Sequence, residues 1–430
     1  MSSTYLSRTP SSAGNRKTFT ISMWVKRSSL SVLQKPFSAG AVSGAFSAVE
    51  FPSDDKPRLV GFDGSSITFD ITADLKARDV NGWYHMVWSV DTTQATANNR
   101  VKFYLNGTQI TDLATNTQPS QNADLDFNNN VGHNIGRGIY NGAEYFGGVI
   151  SHLHMVDGTA YDASAFGSTD STTGEWKINT SPSVTYGTNG FFILKDSNSV
   201  TDQSGNSNNF TVGGGTLTKT EDCPSNVFCT MNLLDNNIAS SSFSNGNTTV
   251  QTNTSYYTWN TGTLGMTSGK FYWEVKYAAN SNSSIYNLIG IADRPTDGNT
   301  DVLGRQTDCN NYGYYSDNGQ SYANNTLASY GNAYGVGDII GVAVDLDNSK
   351  IYWSKNGTWQ NSGVPTSGST GTGAVSIVAV SSTENGYYLP ASGDYGSTQN
   401  CTNQHNFGNG FFGTTAVSSA GTNASGNGIF

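Results

Sequence analysis

The segment GDIIGVAVDLDNSKIYWSKNGTW (residues 337–359) constrains the fold more than any other part of this chain. Ile340, Val342, Val344 and Leu346 alternate with Ile339, Gly341, Ala343 and Asp345, the two-residue period of a strand with unlike faces. Asp347, Asn348 and Ser349 then reverse the chain, because Asn and Asp tolerate positive φ and bond their own backbone. Ile351 and Trp353 resume the buried face, and Lys355-Asn356-Gly357 makes the next turn. The first half repeats this grammar. TFTISMWVKR (residues 18–27) sets Phe19, Ile21, Met23 and Val25 against Thr20, Ser22, Trp24 and Lys26. WYHMVWSVD (83–91) is followed, after a polar loop, by NRVKFYLNGTQI (99–110). VKFYLNGT and KIYWSKNGT are alike because each forms the second strand of an equivalent hairpin. The pattern predicts an all-β chain of two antiparallel sandwiches in series.

The hairpin at 337–359 resembles the central hairpin of SPRY domains, β-sandwich modules that bind rather than catalyse. SGKFYWEVKY (268–277) resembles the opening strand of that family, NLIGIADRP (287–295) the next core strand, and YGYYSDNGQSY (312–322) the aromatic strand and turn that follow. AVSIVAVS (374–381) is expected to supply a later strand, and HNFGNGFF (405–412) is similar to the closing Asn-Phe-Gly signature. In the first half, the strand–loop–strand ending in Leu105-Asn106-Gly107 and the segment FGGVISHLHMVDGTAY (146–161) resemble the laminin-G-like, concanavalin-type jelly roll. The expected domains are residues 1–222, a laminin-G-like sandwich with accessory strands, residues 223–415, a SPRY-like sandwich, and residues 416–430, a Gly/Ser/Asn-rich tail. That tail ends abruptly on Ile429-Phe430, as in a polypeptide that continues further.

The 430 residues accommodate two all-β domains of about 200 residues each, long enough for separate cores. Charged residues make up 13% of the chain, about half the ~25% of ordinary globular proteins. Glycine, serine, threonine and asparagine take their place. The regular return of aromatic and β-branched runs argues against disorder. A net charge of −10, with 22 Lys and Arg scattered rather than clustered, weighs against a nucleic-acid partner. No apolar run approaches the ~20 residues of a membrane span, and the N-terminus lacks the apolar core of a secretory signal.

GEWKI (174–178), GFFILKD (190–196) and NNFTV (208–212) read as strands that finish the first sandwich or clasp it from outside, with a boundary near residues 213–226. DQSGNSNNF (202–210) resembles a turn of laminin-G-like proteins. The four cysteines, Cys223, Cys229, Cys309 and Cys401, form no disulfide framework and no CxxC pair. Buried free thiols are expected, with a Cys223–Cys229 bridge as the alternative.

Sandwiches of the concanavalin type include polysaccharide hydrolases, which need two carboxylates about the scissile bond. The chain's six glutamates (Glu50, Glu144, Glu175, Glu221, Glu274, Glu384) show none of the required Glu-x-Asp-x-Glu patterning, so no catalytic residue is assigned. His152 and His154 lie two apart, which on a regular strand puts both on one face, but no third ligand accompanies them and no metal is assigned. Asp293, Asp297 and Asp301 stand in one loop without the fixed spacing of a calcium site, and turn stabilisation is the expected role. No cofactor is called for, with calcium as the alternative. Tryptophans 24, 83, 88, 259, 273 and 353 read as core.

The opening residues together with PSNVFCTMNLLDNN (224–237) resemble virion structural proteins of tailed bacteriophages that pair the same two domains. That resemblance implies assembly into a virion in the host cytoplasm, as a homo-oligomer contacting other virion proteins, without nucleic acid or membrane insertion. It also implies a surface protein that recognises a host envelope glycan or protein. The alternatives are a purely structural virion component and, least favoured, a polysaccharide hydrolase. The candidate ligand surface lies on SPRY loops: Arg294 and Arg305 in the segment 293–308, Tyr315 and Tyr322 about the next turn, and Trp359 at the hairpin end.

Overall fold

The computed structural model describes residues 3–195, 200–235, 240–254, 257–282, 284, 286–295, 301–396, 398–421 and 428–430. Among them every regular element is a strand or a single 3₁₀ turn. The chain divides into two compact units, residues 1–227 and 228–430. Each consists of an eight-stranded and a six-stranded antiparallel sheet around its own core, as the sequence pattern predicts.

In the first unit the long strand Thr18–Arg27 sits inside the six-stranded sheet, between Gly148–Asp157 and Tyr84–Asp91. Phe19, Ile21, Met23 and Val25 enter the core together with Met86, Trp88 and Val90 from the neighbouring strand. The second face is interior as well: nine of the strand's ten residues are buried. Trp24 stacks on His85 at 4.6 Å, and Trp176 of the hairpin Gly167–Thr169/Trp176–Ile178 covers His85 and donates its Nε1 proton to Nδ1 at 2.9 Å. Burial pulls the His85 pKa down to about 3, which keeps the ring neutral and able to accept that bond. The connector strands close the sandwich itself. Phe191–Ile193 pairs with Gly148–Asp157, and Thr211–Gly214 pairs with Tyr5–Arg8. Asp202 of the turn between them accepts backbone protons from Phe192 (2.8 Å), Ser204 (2.9 Å) and Asn208 (2.9 Å), fixing the clasp.

Arg27, fully buried, fans its guanidinium over the Phe51 ring at 4.3 Å and meets Asp55 at 2.9 Å. It also donates to the carbonyls of Ala77 (2.6 Å) and Ser29 (3.1 Å). Asp55 in turn accepts the Ser31 amide at 2.8 Å.

In the second unit Lys270–Asn280, Ile339–Asp345 and Lys350–Lys355 lie side by side in the larger sheet. Val342 pairs with Trp273 on one side and with Trp353 on the other, placing two tryptophans in one core layer. The expected strand at 374–381 shrinks to Val375–Ser376. Beyond it the chain is held by tyrosines instead of a ladder: the Val378 amide donates to Tyr312 Oη (2.8 Å) and its carbonyl accepts from Tyr388 Oη (2.9 Å). The returning core strand is Leu389–Asp394, which the sequence pattern does not mark. The end of the tail also packs: Ile429 bridges Asn409, and the Phe430 ring lies 5.2 Å from that of Tyr272. All four cysteines are free, and of these only Cys401 is buried, so neither the ring through Cys223 and Cys229 nor a set of four buried thiols is formed.

Asp394 is enclosed at one end of this core with Thr252, whose hydroxyl donates to it, and near Cys401 and Tyr277. Burial pushes its pKa up to about 8, so the folded unit keeps a proton there that the unfolded chain releases near 4. Stability from this group is complete below the unfolded value and is lost as pH rises toward 8. His405, held at about 4 by burial, acts in the opposite direction only below about 6.5. Between pH 6.5 and 8 the unit therefore loses on the order of 1–2 kcal/mol, and Asp394→Asn flattens that decline. Urea unfolding across this range measures it; an unchanged slope in the variant would assign the titration elsewhere.

Candidate functional site

The second unit carries a subsidiary cluster on the outer face of its six-stranded sheet. Along Asn287–Ala292 and Asn311–Tyr315, Ile289, Ile291, Tyr312 and Tyr314 point into the main core, whereas Leu288, Ala292 and Tyr315 point out. Strand alternation makes this division. The segment 301–305 lies across the outward side and seats Val302 and Leu303 against Trp259, Tyr315 and Tyr322. Gly304 permits the approach: its φ is +91°, and a Cβ there would stand 2.4 Å from that of Tyr322. Asp293 and Asn310 close the neck of this loop. The Asp293 amide donates to the Asn310 carbonyl (2.9 Å), and the Asp293 carboxylate accepts the Asn310 amide (3.1 Å) and Nδ2 (2.7 Å).

At the rim of the cluster, Tyr395 gathers the other rings. Its centroid lies 5.3 Å from Tyr315, 5.6 Å from Tyr257 and 6.2 Å from both Tyr286 and Tyr322. Arg305 stands 5.7 Å over the Tyr395 ring and donates from Nη1 to its hydroxyl at 2.6 Å. Tyr257, Tyr286, Tyr395 and Arg305 are half-buried, while Tyr315 and Tyr322 are each only 4% exposed. Burial raises the phenol pKa values of Tyr315 and Tyr322, so both remain protonated at physiological pH.

Three of the five expected ligand residues, Arg305, Tyr315 and Tyr322, thus meet in one place. Tyr315 and Tyr322 are not the open loop platform expected for them; they are the buried floor beneath Tyr395, because both side chains point to the face covered by Val302 and Leu303. Arg294 does not join them. Its fork is occupied by Asp308 (2.6 Å) and Glu384 (3.2 Å), so it ties the loop down. Trp359 belongs to the other sheet, where it meets Tyr272 edge-on at 6.2 Å. Tyr257, Tyr286 and Tyr395 are missed by sequence reasoning. They come from three separate strand ends, and only the frequency of tyrosine beside Asn, Ser and Gly hints at them.

Asp293 and Asp301 accept backbone protons, Asp301 from Val302 at 2.8 Å, and Asp297 lies outside the described residues. His152 and His154 do not share a regular face, for the register breaks between Ser151 and His154 and His152 takes a φ of 46°. Both rings pack against Phe192, and His154 Nδ1 lies 2.8 Å from Tyr186 Oη. Among the described residues no three His, Cys, Asp or Glu side chains gather as a metal site.

Two family models match the chain. Residues 2–164 match the concanavalin A-like lectin/glucanases superfamily, and residues 270–389 match the SPRY domain. The chain joins a concanavalin A-like domain to a SPRY domain. Similar solved structures include the SPRY domain of human HERC1, at 15% identity over 36% of this chain and 86% of that one, with a TM-score of 0.27. A heptameric SAP-like pentraxin from Limulus polyphemus is 17% identical over 37% of this chain and 71% of its own, with a TM-score of 0.28. Domain 4 of AbnA, a GH43 extracellular arabinanase from Geobacillus stearothermophilus, is 18% identical over 34% and 64%, with a TM-score of 0.27. No curated protein matches the chain. The tyrosine cluster with Arg305 belongs to the SPRY unit.

Proposed function

We propose that this chain is a non-enzymatic recognition protein of a tailed-bacteriophage particle, and that its SPRY unit binds a saccharide of the host envelope at the Tyr395–Arg305 rim. The observation that carries this reading is the set of half-buried rings, Tyr257, Tyr286 and Tyr395, standing on a buried tyrosine floor beside a guanidinium. Rings with one face accessible stack on the apolar face of a pyranose, and the guanidinium donates to its oxygens. The floor beneath them fixes the rings before the ligand arrives, which lowers the ordering cost of binding. The virion setting rests on the sequence resemblance of the paired domains, and the low charge of the chain suits adhesion that does not depend on net charge.

A glycan array probed with the full chain tests this reading. Tyr395→Ala is expected to weaken the captured glycan by about 1 kcal/mol, roughly five-fold, with the unit still folded. Absence of glycan capture, with the protein retained only by its virion neighbours, would favour the purely structural alternative. Release of reducing sugar from host polysaccharide would return the hydrolase.

A further inference from the structure

The outer face of the larger SPRY sheet carries a row of paired residues, Asn406, Glu274, Gly341, Ser354 and Trp359, one from each of five neighbouring strands. Gly341 is the gap in that row. Tyr272, two residues before Glu274 and so on the same face, folds across it: a Cβ at Gly341 would stand 2.8 Å from the phenol oxygen and 3.1 Å from Cε2. The Tyr272 ring therefore rests on glycine backbone, and the residue is still 37% exposed. Trp359 meets it at 6.2 Å and 65°, and Phe430 at 5.2 Å and 68°, both half-buried. They arrive from opposite sides of the strand, Trp359 along the row and Phe430 behind Ile429, whose carbonyl accepts from Asn406 Nδ2 at 2.8 Å. One ring lies over the sheet between two that stand steeply to it.

Glu274 closes the phenol end. Its carboxylate accepts the Tyr272 hydroxyl at 2.8 Å and the Asn406 side-chain amide, both neutral partners. Among the described residues no Lys or Arg forms an ion pair with it, Lys276 next along that face included. The other enclosed glutamates differ: Glu50 is paired with Lys35 and Arg58, and Glu144 with Lys35. Burial lifts the Glu274 pKa with no cation to oppose it. Ring faces carry negative charge, so three rings and a half-buried carboxylate without a countercharge favour a cation. Glu274 already receives its N–H and O–H donors from the protein. What the trough lacks is charge, and an ammonium clothed in methyl groups brings it together with apolar surface for the rings.

We infer that this trough binds a quaternary ammonium group, with its methyls against Tyr272, Trp359 and Phe430 and its charge facing Glu274. It is separate from the Tyr395 rim, which belongs to the other sheet, and does not rest on the saccharide reading.

The test is a titration of the full chain with choline and with tetramethylammonium, followed by broadening of their methyl proton resonances. The control is the neutral carbon isostere of choline, in which a tert-butyl group replaces the trimethylammonium. Both cations are expected to bind, choline about ten-fold more tightly than its isostere. Phosphocholine beside glycine betaine tells a headgroup source from a free osmolyte, and binding of either supports the site. Glu274→Gln should weaken choline about ten-fold and leave the isostere unchanged. Trp359→Ala or Phe430→Ala should weaken both, and Tyr395→Ala should bind choline as the parent does. Near-UV spectra check that each variant is folded. Equal binding of choline and its isostere would overturn the assignment, as would the absence of broadening with either cation. So would loss of choline binding in Tyr395→Ala with Glu274→Gln and Trp359→Ala unaffected. None of these outcomes alters the saccharide reading, whose residues are different.

Discussion

Trp353→Ala is expected to destabilise the SPRY unit by about 3–5 kcal/mol, a loss that chemical unfolding of the variant would read directly. Trp353 is fully buried, and its indole Nε1 donates to the Ile289 carbonyl of the opposite sheet at 2.9 Å. It stacks on Tyr314 with centroids 6.0 Å apart and meets Tyr330 edge-on at 5.2 Å. Truncation therefore opens a large cavity between two rings and also strands the Ile289 carbonyl, and both effects act in the same direction. Trp353→Phe separates them, because it keeps most of the volume and loses only the hydrogen bond. It should cost clearly less. A change below about 1 kcal/mol for the alanine variant would contradict the central place given to this residue.

Asp55→Ala in the first unit should cost a similar ~3–5 kcal/mol, for a different reason. The carboxylate is the charge partner of a guanidinium that has no water around it, and burial already pulls the Arg27 pKa down while Asp55 pushes it back up. Removing Asp55 leaves a cation enclosed against Phe51 and the Ala77 carbonyl, and strips the Ser31 amide of its acceptor. Replacing both charges removes the unpaired ion, so Arg27→Met/Asp55→Ala should recover part of the loss. Additive costs in that double variant would show that the pair is not coupled.

The strands that cross the centre of each sandwich were legible because their inward faces obey a period of two without interruption, as in Phe19–Val25 and Ile340–Val344. What covers the outer faces was not legible. Nothing local to Thr20 and Ser22 marks their face as interior; the segment 159–161, which bonds Thr20, and the Trp176 hairpin over His85 make it so. At 374–381 the alternation was present but misleading, since Tyr312 and Tyr388 take over the backbone groups that a strand partner would have bonded. The ligand rim was half legible for the same reason. Arg305, Tyr315 and Tyr322 lie in segments that strand and turn patterns single out, whereas Tyr395 joins them through pairing of sequence-distant strands, which one chain's local pattern does not encode.

The clamp between Asp293 and Asn310 has a consequence for how such a protein can change. With the ends of the loop pinned by three hydrogen bonds, the intervening span is decoupled from the register of the strands on either side. Lengthening a loop whose ends are already closed is cheap, about 0.6 kcal/mol for each doubling. The span behaves as an exchangeable cassette: so long as Val302 and Leu303 keep their seats, Gly304 its close approach and Arg294 its two carboxylates, the loop can gain length by insertion without refounding the sandwich beneath.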